Sequence, residues 1–364
     1  MKKWKLTILD YYIIRKFLGT FFFALILIIC IAVIFDVAEK IDDFMEKGAS
    51  IKLIVFQYYL NFIPYFAVLF SSLFTFISVI FFTSKMAYNT EIVAILNSGM
   101  SFRRMMYPYM ISAALISGFS FILSNYVIPG ANKKRFAFEE VYVRSHAFNY
   151  NKQDVHKQIQ PGVYLYFQSF NNVSNIGNMF CIEKYDGTKL VSKLMADYIQ
   201  WDSVKHKWTA QNYFIRTIDG MNEKIVKGKK IDTTLNIQPE EFKRRENFME
   251  AMSIHELNDY IKTLKLQGAD NVNTYIIERE KRTAYPFSTF ILTLIGVTLS
   301  SRKVRGGIGV HIGTGLALSF GYILFMQFSS QFAISGTLSP MLAAWIPNII
   351  FAIISLYLYK IAPK

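Results

Sequence analysis

Residues 17–35 and 53–84 contain no Asp, Glu, Lys or Arg. At about 1.5 Å per helical residue, runs of this length cross a hydrocarbon core about 30 Å thick. Inside that core no water is available to the backbone, so each segment must bond its own N–H and C=O groups, and a helix is the local solution. Six segments qualify as spans: 17–35, about 60–84, 105–128, 284–301, 307–332 and 340–359. Pro64 lies in the second uncharged run, which predicts a kink there or an earlier start as a re-entrant or interfacial helix near Leu53. Apolar residues make up 52% and charged residues 18% of the chain, against the usual charged share of about 25%, so a single soluble globule is excluded.

A net charge of +14 would point to nucleic acid in a soluble protein, but here the positive residues flank the apolar spans. With the N-terminus inside, segments 1–16, 85–104, 302–305 and 360–364 hold 5, 3, 3 and 2 Lys/Arg. The outer loop 36–52 carries three Lys against five acids, and 333–339 carries none. This asymmetry places both termini in the cytoplasm. Tyr11, Tyr12, Trp345, Tyr357 and Tyr359 then fall near headgroup level. The basic start resembles a signal peptide, but nineteen apolar residues exceed its usual core and no small-residue cleavage site follows, so the reading is an uncleaved anchor.

The spans divide the chain into a membrane half at 1–128, an external domain at 129–283 and a second membrane half at 284–364. In the external domain, Val163–Phe167, Met179–Ile182, Lys189–Trp201, Lys207–Ile218 and Lys224–Leu235 read as strands, with turns at Asp186-Gly187 and Asp219-Gly220. About five strands at this spacing predict a β-sandwich or jelly-roll-like fold. The capping box Ser253-Ile254-His255-Glu256 opens a helix that stops at Gly268, and a second helix from about Asn273 runs into the fourth span.

Several chemistries lack their residues. No P-loop occurs, since Glu223 stands where the first glycine before Gly228-Lys229 would be. The five histidines show no metal-ligand spacing, and no catalytic cluster stands out. Cys30 and Cys181 lie in different regions and read as buried, inert thiols. Within an apolar run only His311 is ionisable, which reads as an interfacial histidine bonded to a neighbouring helix or as a proton relay. An apolar bundle with few internal charges suits a lipid-like cargo and an energy source on another protein.

The loop 85–104 has the punctuation of a helix at about 89–99. Asn89 or Thr90 can cap it, Glu91 complements its positive end, Ile92, Ile95 and Leu96 share a face, and Gly99 supplies a left-handed stop. So short a helix needs a surface to rest on. It is either an interfacial helix on lipid or a coupling helix seated on a cytoplasmic ATPase. In the fifth span Gly306, Gly307, Gly309, Gly313, Gly315 and Gly321 form a ridge suited to close helix packing. Beyond the first span, Lys40 and Lys47 either sit in a solvated helix end, with Asp36 and Lys40 as an i,i+4 pair, or lie near the phosphates of an anionic lipid.

Three stretches closely resemble the LptF/LptG permease family. They are Glu280-Lys281-Arg282-Thr283-Ala284-Tyr285-Pro286-Phe287 continuing to Arg302-Lys303-Val304-Arg305-Gly306-Gly307-Ile308-Gly309, then Thr90-Glu91-Ile92-Val93-Ala94 with Gly99-Met100-Ser101, and the opening Leu9-Asp10-Tyr11-Tyr12-Ile13. The likeness covers the membrane halves and is weaker in the external domain. It implies an α-helical inner-membrane protein with six transmembrane helices, three before and three after an inserted periplasmic β-jelly-roll-like domain. It implies a non-catalytic subunit of an ABC transporter that extracts lipopolysaccharide, paired with a paralogous permease, powered by an LptB-type ATPase dimer that uses ATP and Mg, and continued by an LptC-type bridge. No cofactor is expected in this chain. Carried over, Glu91, Ile92, Ile95, Leu96, Asn97, Gly99 and Ser101 look like the coupling helix. Residues 17–44 and 307–332 look like lateral-gate helices, with Phe22, Lys40, Lys47, Gly309, Gly313, Gly315 and Gly321 along the lipid path. Asp10-Tyr11-Tyr12 and the charged outer end of the first span look more like the G paralogue. Asp36, Glu39, Asp42 and Asp43 depart from a strongly basic pattern there. A membrane enzyme acting on lipids in the periplasm and a structural scaffold are the competing classes.

Overall fold

The computed structural model describes residues 6–143, 152–171, 174–203, 205–233, 235, 239, 246–269, 271–302 and 307–362. Helix α1 (Ile8–Glu46) opens on a capping box: the Thr7 amide donates to Asp10 Oδ2 at 2.7 Å and Thr7 Oγ1 accepts from the Asp10 amide. It ends before Gly48, which takes φ 66°. Helix α2 (Ile51–Tyr88) runs unbroken through Pro64. Of the two alternatives the earlier start near Leu53 is the one seen, with a π-helical stretch over Ile54–Tyr59 in which Asn61 Nδ2 donates to the carbonyls of Phe56 and Gln57. Helix α3 is Glu91–Asn97.

Helix α4 (Phe102–Tyr142) is longer than the third span expected at 105–128. A second π-helical stretch, Leu123–Val127, absorbs the irregularity ahead of Pro129 and Gly130, and the helix then continues for 15 residues. The chain accordingly separates into two compact units after Val143, and the short segment Glu250–Ile254 belongs with the helices.

The helical unit is completed by α5 at its first residue, then by α6 (Val272–Ser300), α7 (Gly307–Ile334) and α8 (Pro340–Ile361), where α5 is Ile254–Leu266. One core gathers Ile13, Phe17, Phe21, Leu25 and Ile29, at intervals of four along α1, with Phe82, Met105 and Tyr109. A second joins Phe76 and Ile80 of α2 to Leu292, Ile295, Tyr322 and Phe351. Gly296 allows the approach of α6 to α2, since a Cβ there would lie 2.8 Å from Val79 Cγ1.

The other unit holds one antiparallel sheet: β1 (Lys152–Gln160), β2 (Val163–Asn171), β3 (Ile176–Asp186), β4 (Lys189–Asp202), β5 (Lys207–Asp219) and β6 (Asn222–Thr233). Each strand pairs with its sequence neighbours, in the order β1-β2-β3-β4-β5-β6. The inserted β domain is as expected, but its described strands form a meander, whereas a jelly roll interleaves two Greek keys. Tight hairpins such as Asp186–Lys189 and Asp219–Asn222 join neighbours directly, with Gly187 and Gly220 at positive φ.

Asp154, Met179 and Asn212 adopt left-handed φ near 50° at matching levels on β1, β3 and β5. Across this line the inward-facing residues change parity: Phe167 and Phe170 are both fully buried although three apart. Both halves of the sheet thereby feed one core with Phe180, Ile199 and Trp208.

Candidate functional site

The loop between α2 and α4 carries the first group of expected site residues. Gly99 (φ 85°) provides the left-handed stop, its amide donating to Leu96 O at 3.1 Å. The expected side-chain cap is absent: Thr90 takes φ 63° and its hydroxyl donates to Asn89 O instead of accepting from the helix. Ile92 is 1% exposed within the core of the chain's own spans, and Ile95 and Leu96 pack against the same cluster. The apolar face therefore rests on this bundle, where lipid or another protein was expected. Val93, Ala94, Asn97 and Ser98 form the exposed side. Ser101 caps α4, its Oγ accepting from the Arg104 amide.

Glu91 is held from two sides, with Oε2 accepting from Tyr12 Oη at 3.1 Å and Oε1 from Asn89 Nδ2 at 3.3 Å. Nearby, both Arg104 guanidinium nitrogens donate to the two Asp10 carboxylate oxygens at 2.5 Å. Sequence inspection singled out Asp10 and Tyr12 only as part of a motif. Their partners lie 94 and 79 residues away, with no local signal.

At the far end of α1, Lys40 pairs with Asp36 and also bonds Tyr58 Oη, while Tyr59 Oη donates to Asp36 Oδ2 at 3.2 Å. The i,i+4 pair is thus formed and engages the ammonium within the protein. Lys47 caps α1, its amide donating to Asp43 O. Phe22 is half exposed and stacks edge-on with Phe119.

The glycine ridge of α7 divides. A Cβ at Gly315 would lie 2.3 Å from Ile80 Cδ1, so this glycine serves close packing. Gly309, Gly313 and Gly321 have nothing within 4 Å of that position and lie on the exposed side, so packing inside the chain does not explain them. Gly306 lies outside the described residues. His311 Nε2 bonds Arg302 O at 3.0 Å, an attachment to the connection from α6. Cys181 is buried as expected, but Cys30 is exposed, because α1 buries only one stripe.

In the β unit a cavity of about 360 Å³ opens between Ile159, Val163, Ile182, Leu194, Ile215 and Leu235, with Lys184 and Gln160 on its lining. Ser192 and Thr233 also line it, so the cleft is mixed in character, with polar groups beside the aliphatic ones.

Among the described residues, six helices long and apolar enough to cross a membrane, with a β domain inserted between the third and fourth, define a polytopic membrane protein. The chain belongs to the family of the lipopolysaccharide export system permease LptF/LptG, which matches residues 11–361. It is an inner-membrane transport subunit. The match covers both paralogues alike, and no curated protein matches the chain.

Proposed function

We propose that this chain is one of two permease subunits that take lipopolysaccharide from the inner membrane and pass it towards a periplasmic bridge. The carrying observation is α3: a seven-residue helix anchored by Ile92 in the bundle core while Val93 and Asn97 stay exposed. That arrangement suits a contact that must move the spans when pushed. An LptB-type ATPase dimer seats there and supplies ATP hydrolysis with Mg, and this chain contributes no catalytic group. The paralogous permease closes against α1 and α7, whose most apolar stretches are only 22% and 28% buried, against 61% for α6. The exposed glycines of α7 lie on such a surface. The termini are cytoplasmic and the β unit periplasmic, where an LptC-type protein continues the path.

The test is purification of the tagged chain from native membranes in mild detergent, with mass spectrometry of proteins and lipids. An ABC ATPase, a second six-span permease and lipopolysaccharide are expected. Recovery of the chain alone, in detergent that preserves a known complex, would overturn the reading in favour of a scaffold or a lipid-modifying enzyme.

A further inference from the structure

The seven-residue helix α3 hangs between two left-handed residues. Gly99 adopts such a backbone freely, but Thr90 is β-branched and strained there, and its hydroxyl is turned to Asn89 O. A helix entered through so tight a joint, with no side-chain cap, takes its orientation from what holds its first residue. That residue is Glu91, and the group that reaches it from another element is the Tyr12 hydroxyl of α1, 3.1 Å from Oε2. Tyr12 is itself well placed. Lys16 lies 5.6 Å from its ring centroid, and two residues earlier Asp10 is clamped by Arg104 of α4 and by the Thr7 capping box.

The next residue of α3, Ile92, enters the same core as Ile13 and Phe17 of α1. What joins α3 to α1 is thus an apolar plug, buried Ile92 with Ile95 and Leu96 partly buried beside it in a shared core, and a hydrogen bond to a carboxylate. The plug resists separation but tolerates rotation, because apolar contact is non-directional. A bond from a phenol to a carboxylate fixes direction.

We propose that Tyr12 is a positioning residue that sets the Glu91 carboxylate and delivers movement of α3 to the first span. The inference rests on the reading of α3 as the ATPase seat and adds the route by which its motion enters the membrane. Displacing α3 without this bond turns the helix about Ile92, whereas with it the cytoplasmic end of α1 is drawn along.

The experiment uses the whole complex with its ATPase, reconstituted in vesicles containing lipopolysaccharide. For Tyr12→Phe the kcat of lipid-stimulated ATP hydrolysis is expected to fall roughly three- to tenfold, the loss of one solvent-exposed hydrogen bond, while KM for ATP stays unchanged. Glu91→Ala, which takes away the acceptor, should fall at least as far, and the double variant should be no worse than Glu91→Ala alone, since both single changes remove the same bond. Tyr11→Phe removes a hydroxyl from the exposed neighbour and should leave turnover unaltered. Wild-type turnover in Tyr12→Phe, or multiplicative losses in the double variant, would overturn the proposal. Cross-linking from Asn97→Cys separates the levels. A cross-link to the ATPase with multiplicative losses defeats the positioning role alone. No cross-link in an intact complex defeats the seat and the role together.

Discussion

Replacing Arg104 with alanine removes both guanidinium donors from a carboxylate that is only 1% exposed. Asp10 would keep two donors, the Thr7 amide at 2.7 Å and the Thr7 hydroxyl at 2.9 Å. A buried charge stripped of its partner typically costs about 3–5 kcal/mol. The retained bonds, and an Arg104 side chain that is 19% exposed, lower the expectation to about 2–3 kcal/mol. Asp10→Ala loses half of the capping box, worth about 1 kcal/mol, and leaves an arginine that can turn to water. Removing both residues leaves no orphaned charge, so the double variant should be more stable than Arg104→Ala alone by about 1 kcal/mol. Unfolding in mixed micelles of increasing SDS fraction, followed by tryptophan fluorescence, measures the order. A double variant as unstable as the sum of the single ones would refute the premise that the buried carboxylate depends on this pair.

Gly177→Ala places a Cβ 2.4 Å from the Phe167 ring, which is fully buried, so the sheet should lose about 1–3 kcal/mol, seen as faster trypsin cleavage within residues 152–233. Burial, reinforced by Glu278 and opposed by Arg135, the Tyr65 bond and Arg282, pushes the Glu250 carboxyl up to about 7 from an ordinary 4.5. Because the docked state holds its proton more tightly, docking of Glu250–Ile254 is strongest below about pH 4.5 and weakens as pH rises towards 7. Hydrogen exchange over residues 246–254 should show this slope in the wild type and lose it in Glu250→Gln. A maleimide should spare Cys181, whose thiol burial pushes up, until the β unit is unfolded.

Much of the fold was legible because its causes are local. The spans follow from runs of apolar residues, and five strands from alternation between Gly-marked turns. Strand β1 was missed because Lys152–Gln160 is mostly polar and pairs only with β2 at one edge of the sheet. The helix of the third span runs on past 128 although Asn125, Pro129 and Gly130 look like an ending, because a π-helical stretch carries it through. Asp36 with Lys40 was readable from helical spacing, but the tyrosines that complete that cluster were not.

Residue type alone determined that the chain crosses a membrane six times around an inserted β domain, since transfer of apolar side chains and backbone self-satisfaction add up along the sequence. It also marked α3, through Glu91 and Gly99. Only the tertiary structure decided that Ile92 turns inward, that Arg104 grips Asp10, that Tyr12 holds Glu91 and that three α7 glycines face outward. Those outcomes depend on which surfaces meet after residues far apart in sequence pack together, and hydrogen bonds and close contacts are satisfied at distances of a few ångströms in space whatever the separation along the chain.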